Sequence, residues 1–337
     1  MPKVKKKSSR RPVCSVVIRC CNEGKHIGKL LTGISSQTVD EVEIIVVDSG
    51  STDDTLKIAS QFSTNILHIE RERFSFGRSL NIGCEAASGE FIVIASAHVY
   101  PVYDTWLENL LVPFENERIA LTYGRQVGNE LSAYSEHQVM AKWYPEVSTS
   151  LQDHPFCNNA NAAIRANLFQ EFRYNEELTG LEDLDWAKRV MGSGHRLAYC
   201  ADAEVVHAHE ETFAQIFNRY KREAMALKLI MPQQAISFWE FLKLYGSNVF
   251  NDLRHACNDR LGMSKCLHIP AFRLMQFWGS YRGFRTDGHM TKKLRERFYY
   301  PRGAVLTSPL PEIRKGRPIN YNLTGNEFNN EQKVGKS

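Results

Sequence analysis

Val42-Glu43-Ile44-Ile45-Val46-Val47-Asp48-Ser49-Gly50-Ser51-Thr52-Asp53-Asp54 is the stretch on which the fold turns. Five of its first six residues are apolar and β-branched, which predicts a short buried strand. The strand closes on Asp48 and a run of small polar residues, the chemistry of a turn that opens into a helix. Helical spacing follows over 55–62. Upstream, 13–20 reads as another buried strand that ends in the polar turn Asn22-Glu23-Gly24-Lys25. Residues 26–36 then carry helical apolar spacing through Ile27, Leu30, Leu31 and Ile34. Strand, helix, strand, helix is the pattern of an α/β protein with a parallel sheet covered by helices. Ligands of such sheets sit at the carboxyl ends of the strands, where both polar turns fall.

The alternation continues downstream. A strand is expected at 65–70, a helix at 79–87 and a buried strand at 91–95 that runs into Ser96-Ala97-His98. Helices at 105–115, 181–191 and 213–229 then alternate with short strands at 197–200 and 204–206. Beyond Met231 the chain mixes aromatic and basic residues on expected helices, as in Phe238-Trp239-Glu240-Phe241-Leu242. These shifts divide the chain into a basic disordered tail at 1–12, an α/β domain at 13–230, a helical extension at 231–305 and an irregular tail at 306–337.

Composition limits the classes of function. The chain has 337 residues, 43% hydrophobic, enough to bury a full core. No apolar run approaches the ~20 residues of a membrane-spanning helix. With no apolar leader at its start, the chain is expected in the cytoplasm. The 8 cysteines include the adjacent Cys20 and Cys21 and no Cys-x-x-Cys pair, so reduced, mostly buried thiols are expected. A net charge of +4 is too small to imply nucleic-acid binding. The basic run from Lys3 to Arg11 is either a solvated arm or a contact for anionic lipid. The aromatic C-terminal helices are either ordinary packing or a platform at the cytoplasmic face of a membrane.

The loop residues suit a nucleoside diphosphate. Asp48 can accept from a base nitrogen or a ribose hydroxyl, and Ser49, Gly50, Ser51 and Thr52 let a ligand approach the backbone. Asn22 and Glu23 could fix base or ribose from the adjoining strand. A capped turn before a helix explains the Asp48 loop equally well.

The residues Cys21-Asn22-Glu23, then Val46-Val47-Asp48-Ser49-Gly50-Ser51-Thr52-Asp53-Asp54-Thr55, then Arg78-Ser79-Leu80-Asn81 with Gly83, Ala86, Gly89 and Glu90, appear in a telling order. Together they resemble glycosyltransferase family 2, whose members are inverting enzymes of GT-A fold. The resemblance runs from about residue 13 to residue 209. It implies a Rossmann-like mixed sheet flanked by helices. It also implies a donor site of Arg19, Asn22, Glu23, Asp48, Ser49, Ser51, Arg78, Asn81, Ser96 and Ala97, with a UDP- or dTDP-sugar as donor. Glu182-Asp183-Leu184-Asp185 resembles the family's Glu-Asp-x-(Asp/Glu) motif. By that resemblance Asp183 is the general base, with Glu182 or Asp185 orienting acceptor or base. The acceptor, a glycan or a lipid-linked sugar, would meet Asn158, Asn159, Asn161 and Trp186.

One departure concerns the metal. Family members usually carry Asp-x-Asp where this chain has Ser96-Ala97-His98. His98 could ligate Mn2+ or a similar ion, or donate to phosphate in place of a metal, or mark a site that has lost activity. His207 and His209 alternate at the end of an expected strand and so share a face. His207 is the expected partner of His98, and a requirement for Mn2+ or Mg2+ stays open. A homo-oligomer is also open. The alternatives are a non-catalytic sugar-nucleotide or glycan-binding protein and a nucleotidyltransferase; a nucleic-acid binder fits poorly.

Overall fold

The structure is a computed structural model that describes residues 12–285 and 316–321. The basic run at 3–11 and most of 306–337 lie outside the described residues. The first half comprises β1 (Cys14–Cys20), α1 (Ile27–Ser35), β2 (Val42–Asp48), α2 (Thr55–Ala59), β3 (Thr64–His68), α3 (Phe76–Glu85), β4 (Phe91–Ser96) and β5 (Val99–Pro101). Then come α4 (Trp106–Leu111), β6 (Ile119–Gly128), α5 (Tyr134–Trp143), β7 (Thr149–Gln152), β8 (Asn161–Arg165) and α6 (Ala166–Glu171). The chain continues through α7 (Glu182–Gly192), β9 (Arg196–His207), α8 (Phe213–Ile230), α9 (Phe238–Asn258) and α10 (Met263–Phe284).

The strands form one 9-stranded mixed sheet in the order β3-β2-β1-β4-β8-β6-β9-β5, with β7 also on β9. β3, β2, β1 and β4 are parallel, as the sequence predicts. β8 inserts antiparallel between β4 and β6, and β6 runs parallel to β9. The chain leaves β1 toward β2 on one side and comes back to β4 on the other. The ends of β1 and β4 therefore flank a switch point, where diverging loops leave a crevice.

Period-two alternation builds a core on each face of the sheet. Cys14, Val16, Ile18 and Cys20 of β1 pack with Ile27, Leu30, Leu31 and Ile34 of α1. Val17 faces the other way, into a layer with Leu80 and Cys84 of α3 and Trp186 of α7. All 8 cysteines are free, and most are buried.

Several expectations shift. The helix expected at 79–87 starts at Phe76, because the Ser75 side chain accepts from the Arg78 N–H and caps it. The two strands expected at 197–200 and 204–206 are one strand, β9. It passes β6 with a register shift between Gly124 and Gln126. At Gly124 an added β-carbon would stand 2.1 Å from the Ala203 carbonyl oxygen, so only glycine allows that approach. β6, β8 and α5 have no counterpart in the expected elements. Asn161-Ala162-Ala163-Ile164-Arg165 lacks the β-branched run that marks a strand, and pairing on both edges makes it one.

Beyond α7, helices α8, α9 and α10 pack together. Phe241, Phe277 and Phe284 share a cluster with Leu178 and Leu184, so this core reaches back to the start of α7. α8 and α10 meet closely at Gly279, where an added β-carbon would lie 2.5 Å from the Phe217 carbonyl oxygen. Arg273 donates to both Asp252 oxygens, at 2.7 and 2.8 Å, in a buried bidentate pair. Trp239 and Phe250 of α9 stay 77% and 67% exposed. Among the described residues no helix is long and apolar enough to cross a membrane. Residues 316–321 return to the sheet end: Ile319 donates to Val102 and the Tyr321 hydroxyl to Pro101.

Candidate active site at the sheet switch point

The loops after β1 and β2 are tied to each other. The Asn22 N–H donates to Ser51 Oγ at 2.9 Å, and Asn22 Oδ1 accepts from the Thr52 N–H at 2.7 Å. Asn22 sits at φ +58°, a left-handed conformation that asparagine tolerates better than most residues. Asp48 is buried, and its carboxylate accepts from the Gly50 and Ser51 N–H groups at 3.0 and 3.1 Å. Burial works against its charge, but the hydrogen bonds from Ser51 and Gly50 outweigh it and hold the pKa below the usual value. Ser49 also turns inward, its hydroxyl donating to the Cys20 carbonyl. The loop expected to hold the donor thus spends much of its polar chemistry on its own shape.

Arg19, near the end of β1, places its guanidinium 5.0 Å from the Phe76 ring centre and 3.2 Å from Glu182 Oε1. Glu182 and Asp183 open α7 immediately after Leu181, whose φ of +56° is strained for a side chain with a β-carbon. Asp183 is buried and accepts from the Asn159 N–H at 3.0 Å and the Leu184 N–H at 2.8 Å. Burial, with Glu182 alongside, pushes its carboxyl up to about 7. Asp185 pairs instead with Arg189 at 2.9 Å, an i,i+4 contact along the helix.

Three histidines converge beside these loops. His98 follows β4, and its carbonyl accepts from the Ala208 N–H, which brings the end of β9 alongside. His98 Nδ1 lies 2.9 Å from Glu23 Oε1, and its Nε2 lies 3.2 Å from Ser96 Oγ. His207 Nδ1 lies 2.7 Å from Gln126 Oε1, and its Nε2 is 2.8 Å from His209 Nε2. Burial, reinforced by the neighbouring histidines and Arg219, pulls the His207 pKa well down, so this ring is neutral. One nitrogen from each of the three lies within 4.8 Å of the others. A divalent cation fits this donor set, because neutral imidazoles in such a cluster can share an ion. A cavity of about 190 Å³ reaches from His207 and His209 to Asp183, and its other walls include Trp143, Phe156 and Tyr220.

The sequence profile described as Glycosyl transferase family 2 matches residues 15–179. Glycosyltransferase AglE of Haloferax volcanii is 30% identical over 59% of this chain and 68% of its own length. The chain belongs to glycosyltransferase family 2. Another family relative, O-antigen chain rhamnosyltransferase WbaN of Salmonella anatum, is 31% identical over 55% of this chain, and the match spans 62% of that protein. The mannosyltransferase PcManGT from Pyrobaculum calidifontis, solved with GDP-Man and Mn2+, superposes with a TM-score of 0.54 at 18% identity, over 82% of this chain and 85% of that one. The S. aureus TarS 1–349 structure with UDP-GlcNAc gives 0.50 at 17% identity, covering 80% and 89%. These likenesses show the GT-A fold, as expected.

Not every residue expected at the site of this family 2 chain reaches a crevice. Trp186 lies wholly inside the core, its ring N–H directed at the Phe172 carbonyl, and so presents no face to an acceptor. Asn161 is equally enclosed, accepting from Trp106 and donating to Ala203. Asn81 braces the chain at 174–176, bonded to Tyr174 and Glu176, and Arg78 pairs with Glu176 at 2.7 Å. Ala97 is buried, while Asn158 lines the cavity. Both polar atoms of the buried Asn159 side chain lack a hydrogen-bond partner among the described residues, as expected of a group that meets a ligand. Sequence reasoning passed over Gln126 and Glu136, which hold the histidine rings, and did not count His209 as a ligand. The His-x-His alternation was the available signal for His209. Gln126 and Glu136 stand on elements that carried none.

Proposed function

We propose that the chain transfers a sugar, with inversion, from a nucleotide-sugar to a hydroxyl of a glycan or lipid-linked acceptor during polysaccharide assembly. The observation that carries this reading is Asp183: a buried carboxyl of raised proton affinity on the wall of a cavity shared with His207 and His209. A carboxylate tuned toward neutral pH is suited to take a proton from an attacking hydroxyl. The Asn159 and Leu184 N–H groups aim its oxygens, and the aromatic walls offer flat faces for an acceptor sugar ring.

The donor nucleotide lies in this reading against the loops at Asn22 and Asp48, with Arg19 near the diphosphate. A divalent ion held at His98 and His207 would supply positive charge to the departing diphosphate. The rhamnosyl activity named for the Salmonella relatives, including RfbN of Salmonella typhimurium, favours a rhamnosyl or related hexosyl unit on UDP or dTDP. The exposed aromatic residues of α9 suit peripheral contact with the membrane that would carry a lipid-linked acceptor.

The test is nucleoside diphosphate release from a panel of UDP-, dTDP- and GDP-sugars with a lipid-linked acceptor extract, for wild type and Asp183→Asn. Release from one donor class that Asp183→Asn abolishes supports the transferase. Calorimetry showing no binding of any nucleotide would overturn it in favour of a glycan-binding role.

A further inference from the structure

Three imidazoles converge, one nitrogen of each within 4.8 Å of the others. His98, His207 and His209 present Nδ1 to oxygens of Glu23, Gln126 and Glu136, at 2.9, 2.7 and 2.8 Å. Hydrogen bonds to Glu23 and Gln126 favour the proton on Nδ1 of His98 and His207, which leaves their Nε2 atoms as acceptors, that of His98 also 3.2 Å from Ser96 Oγ. The Nε2 atoms of His207 and His209 nevertheless stand 2.8 Å apart. At that distance either a proton shared between the two nitrogens or a metal ion lies against both.

We propose that His98, His207 and His209 together form a three-imidazole centre for a divalent transition-metal ion, with Glu23, Gln126 and Glu136 as the outer partners that orient the rings. The proposal deepens the transferase reading and rests on it only in assigning the ion's remaining positions to diphosphate oxygens. It adds His209 as a full ligand, and it fixes the class of ion. Magnesium favours hard oxygen ligands and retains its water, whereas imidazole suits zinc, iron, cobalt and nickel. Manganese binds nitrogen ligands more weakly than any of these. The centre therefore selects against Mg2+ and ranks Mn2+ below Co2+ and Zn2+.

The full chain, stripped with chelator, is titrated with Co2+ and Zn2+ in the absence of sugar donor and followed by visible absorption. The expected result is a single equivalent of Co2+ with the bands of a nitrogen-ligated ion, displaced by Zn2+ but not by a roughly 100-fold excess of Mg2+. His98→Ala and His209→Ala should each lose these bands. Glu136→Gln should keep them with affinity lowered about 10–100-fold. Circular dichroism checks each variant, and His98, on a partly exposed loop, carries the test if the His209 variant unfolds. Absence of any 1:1 complex would assign the short contact to a shared proton and overturn the proposal. So would undiminished Co2+ binding by His209→Ala, or displacement by Mg2+. Sugar transfer is not read here, so failure of the centre and failure of the transferase assay are separate results.

Discussion

At the first turn of α7, Asp183 holds a proton more tightly than an ordinary carboxyl, because burial and Glu182 both oppose its charge. A base must be deprotonated, so kcat/KM should fall about tenfold per pH unit below about 7. Asp183→Asn should remove that limb and lower the rate by about 10²–10⁴-fold while nucleotide affinity, read by calorimetry, is kept. Stability runs the other way. The folded-state pKa is raised, so folding favours the neutral carboxyl. That contribution is fully present below the ordinary carboxylate value and is lost as pH rises through about 7. Scanning calorimetry should therefore show Asp183→Asn gaining progressively in Tm over wild type as pH rises from about 4 to about 7, with the gain held at higher pH. The role proposed for Asp183 came from the family resemblance of Glu182-Asp183-Leu184-Asp185, whereas the strain at Leu181 was not legible, because nothing about a leucine announces positive φ.

Among the elements, β1, β2 and β4 were readable because each is a run of buried apolar residues ending in a polar turn. β6 and β8 were not, because alanine, glycine and glutamine become strand only through partners supplied by distant chain. The same dependence on partners governs the helical extension. Gly279→Ala would press a β-carbon against the backbone of α8, and urea unfolding should show a loss of about 1–3 kcal/mol. Gly246→Ala in α9 meets nothing within 4 Å and should instead raise stability by about 0.5–1 kcal/mol. Equal effects of the two substitutions would mean that α8 and α10 do not pack as described.

Over the whole molecule, the loops expected to hold the donor were legible in order along the chain, as was the pairing of His98 with His207, while Gln126 and Glu136 were not, since they meet the histidine rings only once the sheet has closed. The outer surface carries a further expectation. Trp239, Leu242 and Phe250 recur at helical spacing on α9, exposed, with Lys243 and Arg254 beside them. Trp239→Ser with Phe250→Ser should weaken sedimentation with anionic vesicles several-fold and leave donor turnover in solution unchanged. Equal sedimentation would remove the membrane contact from the reading. Residues 316–321 carry another consequence. They sit on the stretch just past His98, clasped through Asp104, Val102 and Pro101. The polypeptide thus leaves the sheet by α8 and comes back to it, so the helices belong to a closed circuit and not to a free appendage. A change that frees 316–321 from this clasp acts within a few residues of His98.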